Sequence, residues 1–159
     1  MKQLLTQYTA YNLWANTIFA ELLKGLDPAL LEKEIISSFP SLRKTVHHIW
    51  DAELIWISRL KNQNISWPPT AQFKSPGIHE FVNASASFDE FVRLEDEEFL
   101  KGTSVYKNVK GQEFSNTTSG IIMHVMNHST FHRGQLVTML RNLGHTQIPS
   151  TDLIAFLRN

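Results

Sequence analysis

The chain has 159 residues, of which 42% are hydrophobic and 19% are charged, and 15 basic side chains balance 15 acidic ones. This composition is typical of one folded domain with a sizeable core, and we assign the whole chain, residues 1–159, to it. The zero net charge argues against nucleic acid or an anionic membrane as the main partner, and the absence of cysteine excludes disulfides, thiolate metal sites and cysteine nucleophiles.

The sequence shows no sign of membrane insertion or export. No apolar run approaches the roughly 20 residues that span a bilayer. Gln7, Tyr8 and Asn12 interrupt the apolar stretch that a signal peptide would need. We therefore expect a cytoplasmic protein.

Hydrophobic periodicity predicts four long helices. The first covers residues 4–24 and ends at Gly25, a glycine of the kind that terminates helices. The second begins at Ser41, a favourable N-cap, and runs to about Leu60. Each carries an apolar stripe, so each is expected to pack against a common core.

The third predicted helix follows a turn-rich segment. Ser75 is its expected N-cap, with Pro76 at the first helical position. The apolar pattern continues to Leu100, and Gly102 ends it. The connection from the second helix is long enough to cross a bundle, so a simple up-down-up-down order is not implied.

The last part of the chain contains a change of period. Short alternation between residues 105 and 116 predicts a small β-hairpin. The fourth helix runs from about Thr118 to Leu143 and ends at Gly144, and residues 151–157 form a terminal turn or short helix. The predicted fold class is therefore all-α, a four-helix bundle with a small hairpin before its last long helix.

Three histidines, His124, His128 and His132, recur every fourth residue on the fourth helix. Neighbours differ by about 40° around the axis, so all three lie on the side that also carries Ile121 and Val125. Two imidazoles one turn apart can bind one ion, whereas the first and third are separated by about 12 Å of helical rise. One such pair plus a ligand from another helix would form a three-ligand site with an open position. The alternative is that each is a hydrogen-bonded histidine of the core.

The second helix offers the third ligand. His47 and His48 both lie near the edge of its apolar stripe, so periodicity does not choose between them. Glu53 lies near the centre of that stripe, where a carboxylate is costly unless it is paired. It would orient a ligand histidine, act as a general base, pair with an inward arginine, or serve as a purely structural polar contact.

Motifs on three helices carry a family resemblance. They are the run Tyr11-Asn12-Leu13-Trp14-Ala15-Asn16, the set His48, Glu53 and Trp56, and the run Asn127-His128-Ser129-Thr130-Phe131-His132-Arg133-Gly134-Gln135. Over nearly the whole chain the sequence resembles the DinB (damage-inducible) superfamily, also called the DinB/YfiT-like metalloenzymes.

The resemblance implies an up-down-down-up bundle that binds one divalent cation, commonly nickel or zinc, through three histidines. Carried over by position, the ligands are His48, His128 and His132. We take Glu53 and His124 as candidate acid–base or supporting groups, and Asn12 and Gln135 as candidate polar residues of the substrate pocket. The resemblance also implies a homodimer.

Relatives in this superfamily include thiol-dependent enzymes, among them mycothiol-dependent maleylpyruvate isomerase and bacillithiol transferases. The resemblance therefore implies a metal-dependent enzyme with a small-molecule substrate, in which the metal activates a low-molecular-weight thiol. Metal-dependent hydrolysis ranks behind that reaction. The alternative from a different class is a non-catalytic stress-response bundle whose ion is structural, and neither nucleic acid nor a membrane is an expected partner.

Overall fold

The computed structural model describes residues 1–63, 65–73 and 77–158. Long helices alternate with short ones, and two strands precede the last long helix. In chain order the elements are α1 (Lys2–Lys24), α2 (Pro28–Glu32), α3 (Leu42–Leu60), a 3-10 helix (Pro69–Gln72), α4 (Ile78–Leu94), α5 (Glu97–Lys101), β1 (Thr103–Lys107), β2 (Glu113–Thr117), α6 (Thr118–Asn142) and α7 (Leu153–Phe156). In these ranges no helix combines the length and the apolar character that crossing a bilayer requires.

The ends of α3 and α6 are fixed by local side-chain chemistry. The Ser41 hydroxyl accepts a hydrogen bond from the backbone N–H of Lys44, which confirms Ser41 as the N-cap of α3. The Thr117 hydroxyl caps α6 in the same way, and Gly144, just beyond that helix, has φ of 90°. That left-handed conformation favours glycine, so the predicted end of the fourth helix is confirmed.

The predicted third helix differs from the observed one. It ends at Leu94, and α5 begins only after Asp96, whose carboxylate accepts the backbone N–H of Phe99 at 2.7 Å. The prediction of one helix up to Leu100 is therefore wrong, because this cap starts a separate turn. The predicted start at Ser75 and Pro76 lies outside the described residues.

The four long helices surround two core clusters, one toward each end of the bundle. One cluster joins the start of α1 and of α6 to the end of α3 and of α4, through Leu5, Ile121, Leu60 and Val92. The other joins the opposite ends, through Leu23, Leu136, Leu42 and Phe81. Helices α1 and α6 therefore run one way and α3 and α4 the other, which confirms the up-down-down-up order.

The β-hairpin is confirmed and is longer than predicted. Its strands pair antiparallel from Thr103 opposite Thr117 to Lys107 opposite Glu113. The ring of Tyr106 on β1 packs against that of Trp56 on α3, with centroids 4.8 Å apart. The hairpin thus lies against the second half of α3.

Candidate metal centre

Three histidines converge between α3 and α6. His48 lies on α3, and His128 and His132 lie one turn apart on α6. One ring nitrogen from each lies within 4.8 Å of the other two, and the Nε2 atoms of His48 and His128 are 3.0 Å apart. The arrangement is therefore a cluster with the composition and spacing of a metal site.

The donor set fits a divalent cation. Two imidazole nitrogens bound tetrahedrally to one zinc ion, each at 2.0–2.1 Å, are about 3.4 Å apart. Burial, together with the neighbouring histidines, lowers the pKa of His48 to about 4 and that of His128 to about 3. Both rings are therefore neutral near pH 7, which is the form that binds metals.

A hydrogen bond fixes the tautomer of His132. Its Nδ1 lies 2.8 Å from Oε1 of Gln135, whose amide nitrogen in turn donates to the Ser38 hydroxyl. Because the amide oxygen can only accept, Nδ1 of His132 carries the proton and Nε2 presents a lone pair. In the described ranges the buried Nδ1 of His128 has no hydrogen-bond partner, so no protein contact there fixes its tautomer.

Aromatic side chains surround the cluster. Phe39 stacks on the ring of His48 with centroids 4.0 Å apart and lies 5.6 Å from the ring of His132. Trp67, which is 44% exposed, presents its edge to His48 at 6.3 Å. These rings restrict the rotation of His48 and reduce the access of water. Phe39 was not a predicted site residue, and the one sequence feature that could have indicated it is its position two residues before the N-cap of α3.

Glu53, five residues after His48 on α3, is fully buried and is connected to a buried arginine through two asparagines. Its Oε1 accepts hydrogen bonds from the amides of Asn12 at 2.6 Å and Asn16 at 2.9 Å, and its Oε2 accepts from the Ser85 hydroxyl at 2.6 Å. The Arg133 guanidinium donates to the oxygens of the same two asparagines. Two amides therefore bridge a buried carboxylate and a buried guanidinium. Of the roles considered for Glu53, this arrangement agrees with pairing to an inward arginine.

The environment of Glu53 has opposing effects on its protonation. Burial raises the pKa of its carboxyl, while the hydrogen bonds and the charge of Arg133 lower it. Within the described residues no hydrogen bond joins Glu53 to a histidine of the cluster, so its role as an acid–base group stays a prediction.

A family model for the DinB family matches residues 1–158. The chain belongs to the DinB family. Protein DinB of Bacillus subtilis (strain 168) is 29% identical over 148 residues, which cover 88% of this chain and 86% of that protein. The crystal structure of a DinB-like protein of Bacillus subtilis, YjoA, matches with a TM-score of 0.69 and 18% identity, over 92% of this chain and 97% of that one. The resemblance inferred from the motifs is confirmed, and the likeness to YjoA shows a shared fold.

The remaining predicted residues of this DinB-family chain lie around the cluster. Gln135 contacts His132 directly, whereas Asn12 is 1% exposed and engaged at both ends of its amide. His124 is exposed, which contradicts its predicted inward position, and its ring lies 6.0 Å from that of His128. His47 instead packs against Trp50.

Four members of the buried network were not predicted as site residues, although three of them stand in the family motifs: Asn16, Ser85, Ser129 and Arg133. Asn16 follows Asn12 by one helical turn on the inward face of α1, and Arg133 follows Ser129 in the same way on α6. Polar residues four apart within an apolar stripe are the sequence pattern that could have indicated a buried hydrogen-bond network.

Proposed function

We propose that this DinB-family protein is a metal-dependent enzyme that binds one divalent cation, nickel or zinc, through His48, His128 and His132. We propose further that it transfers a low-molecular-weight thiol to a small electrophilic substrate. The observation that supports this function is the convergence of three imidazoles from two helices, each with its pKa lowered by burial. Three nitrogen donors leave a coordination position open, as in catalytic zinc sites.

When bound, a divalent cation supplies the positive charge that lowers the pKa of a thiol or of water. The contribution of the chain is to present the ligands in the correct form. Burial keeps His48 and His128 neutral, and Gln135 orients the lone pair of His132. Phe39 and Trp67 limit the water around His48, which strengthens electrostatic interactions there.

A thiol transfer requires a proton acceptor beside the site. The acceptor takes the S–H proton, and the sulfur forms its bond to the electrophilic carbon as that carbon gives up an electron pair, either to a leaving group in a substitution or to the neighbouring atom of a double bond in an addition. The acceptor then returns the proton to the atom that received the electron pair. We assign His124 to this task, because it is exposed and its ring is 6.0 Å from that of His128 and 5.4 Å from that of Trp56. Glu53 holds the helices that carry the ligands, through Asn12 and Asn16.

Absorption spectroscopy of protein loaded with nickel or cobalt tests thiol binding. Addition of glutathione should produce a thiolate-to-metal charge-transfer band in the wild type and in His79→Ala, a control at an exposed histidine of α4. The band should be absent in His128→Ala. Wild-type protein that contains the metal but shows no band with glutathione or 2-mercaptoethanol would refute thiol activation and favour a structural ion.

A further inference from the structure

A cavity of about 720 Å³ lies between the second half of α3, residues 62, 63 and 65–67, and the β-hairpin. None of the three clustered histidines lines this cavity. Two of its wall residues, Trp67 and Tyr106, connect it to the region of the histidines. Trp67 lines it and lies 6.3 Å from the ring of His48. Tyr106 lines both this cavity and a neighbouring one of about 350 Å³ that His124 also lines. A ligand bound in the cavity would therefore lie close to the histidine cluster.

Arg59 is held on the wall of this cavity by aromatic rings. Its guanidinium carbon lies 4.6 Å from the ring centre of Trp56 and 5.4 Å from that of Tyr106. Cation–π contacts of this kind are not hydrogen bonds, so the guanidinium keeps its capacity to donate N–H groups to a ligand. The two rings therefore hold the Arg59 guanidinium in place without offering it a hydrogen-bond acceptor such as a carboxylate.

Arg59 also lacks a charge partner in the part of the chain that the structure describes, where it makes neither a hydrogen bond nor an ion pair. It is half-buried, and this burial lowers the pKa of its guanidinium. A partly desolvated cation without a carboxylate is unfavourable in the free protein. The site is therefore poised to gain free energy from an anionic ligand.

The other charged groups on the cavity wall also favour an anionic ligand. Lys107 and Glu113, on the paired ends of the two strands, also line the cavity. Glu113 is exposed and makes no ion pair with Arg59. Arg59 and Lys107 thus outnumber the one carboxylate on the wall.

We propose that Arg59 binds a carboxylate of the small-molecule substrate, whose reactive end extends along Trp67 and Tyr106 toward the histidine cluster. The guanidinium fork matches one carboxylate in a bidentate pair, and this pairing also neutralises its charge. The inference rests on the proposed function, and it narrows the substrate class to thiols or electrophiles that carry a carboxylate.

Nuclear magnetic resonance titration of the zinc-loaded protein tests this site without a metal–sulfur bond. The probes are S-methylglutathione, which has carboxylates but no free thiol, and its diethyl ester, in which the carboxylates are blocked. The acid should bind at least about ten-fold more tightly than the ester, the ratio expected when one charge-assisted pair is lost. Its largest shifts should be at the Trp56 indole N–H and the Arg59 side-chain N–H.

Two variants separate a specific contact from a general charge effect. Arg59→Met should abolish the preference for the acid, whereas Lys61→Met should preserve it. Lys61 is exposed and lies beside Phe91, and its replacement removes the same charge two residues away. An unchanged preference in Arg59→Met, or equal affinity of the wild type for acid and ester, would overturn the inference.

The same titration remains decisive if Arg59→Met does not fold. In that case the chemical-shift changes of the wild type provide the test. Changes concentrated away from Trp56 and Arg59 would contradict the assignment of the carboxylate site to Arg59. Since S-methylglutathione cannot bind a metal through a thiolate, these results are independent of the charge-transfer experiment that tests the proposed function.

Discussion

The Nδ1 atom of His132 donates a hydrogen bond to Oε1 of Gln135 at 2.8 Å, within one turn of α6. Gln135 is itself held by Ser38, from the segment before α3. The bond orients the imidazole and leaves the lone pair of its Nε2 free to bind a metal ion. Hydrogen-bond partners of this kind fix the orientation of a ligand histidine and thereby influence metal affinity.

Replacement of Gln135 should therefore weaken metal binding although Gln135 is not a ligand. We expect Gln135→Leu to lower the affinity for zinc by about 10- to 100-fold, because His132 loses the acceptor that selects its tautomer. Gln135→Glu keeps an acceptor and should retain most of the affinity. Competition with a chromogenic chelator measures both, and equal affinity of Gln135→Leu and the wild type would contradict this role.

The paired charges of Glu53 and Arg133 should stabilise the bundle as a unit. Glu53→Ala leaves a buried guanidinium without its counter-charge, and we expect the free energy of unfolding to fall by about 3–5 kcal/mol. Arg133→Met should have a similar effect. In the double variant the loss should be smaller than the sum of the two, since neither charge is then left alone. Urea denaturation measures all four proteins, and additive losses would show that the two residues are independent.

The metal-free protein should become less stable as the pH falls below about 6.5. His128 has a pKa of about 3 and His48 of about 4 in the fold, against about 6.5 in the unfolded chain. Between these values the unfolded chain binds more protons, so the free energy of unfolding decreases with decreasing pH. The contribution of these groups is fully present above about pH 6.5 and is lost as the pH falls through their folded-state values.

The His128 contribution can be isolated by substitution. His128→Asn should show a shallower loss of stability between about pH 6.5 and pH 4 than the wild type, because one depressed pKa is removed. His79→Asn, at an exposed position, should follow the wild type. Urea midpoints across this range provide the test, and parallel curves for wild type and His128→Asn would be evidence against a perturbed histidine.

Local patterns were sufficient for much of this fold. The caps at Ser41 and Gly144 and the apolar period of α3 and α6 depend on neighbours along the chain, so they are readable from the sequence. Periodicity could not choose between His47 and His48, because both lie near the edge of one stripe. The family register selected His48, and the structure shows why that choice matters: His47 turns toward Trp50.

Other features depend on contacts that no local pattern reports. The bridge from Glu53 to Arg133 needs α1, α3 and α6 at a particular rotation, and its members are up to 121 residues apart. The contact of the Arg59 guanidinium with the Tyr106 ring depends on how the hairpin lies against α3. The break after Leu94 was hidden by the acidic run that follows, since glutamate favours helices and only the cap by Asp96 shows the new start.

The metal content of purified protein tests the central claim most directly. After loading with nickel or zinc and removal of the excess, elemental analysis should find one ion per chain in the wild type and in His79→Ala. It should find almost none in His128→Ala or His132→Ala. A stoichiometric ion that survives both of these substitutions would contradict the assignment of the site to His48, His128 and His132.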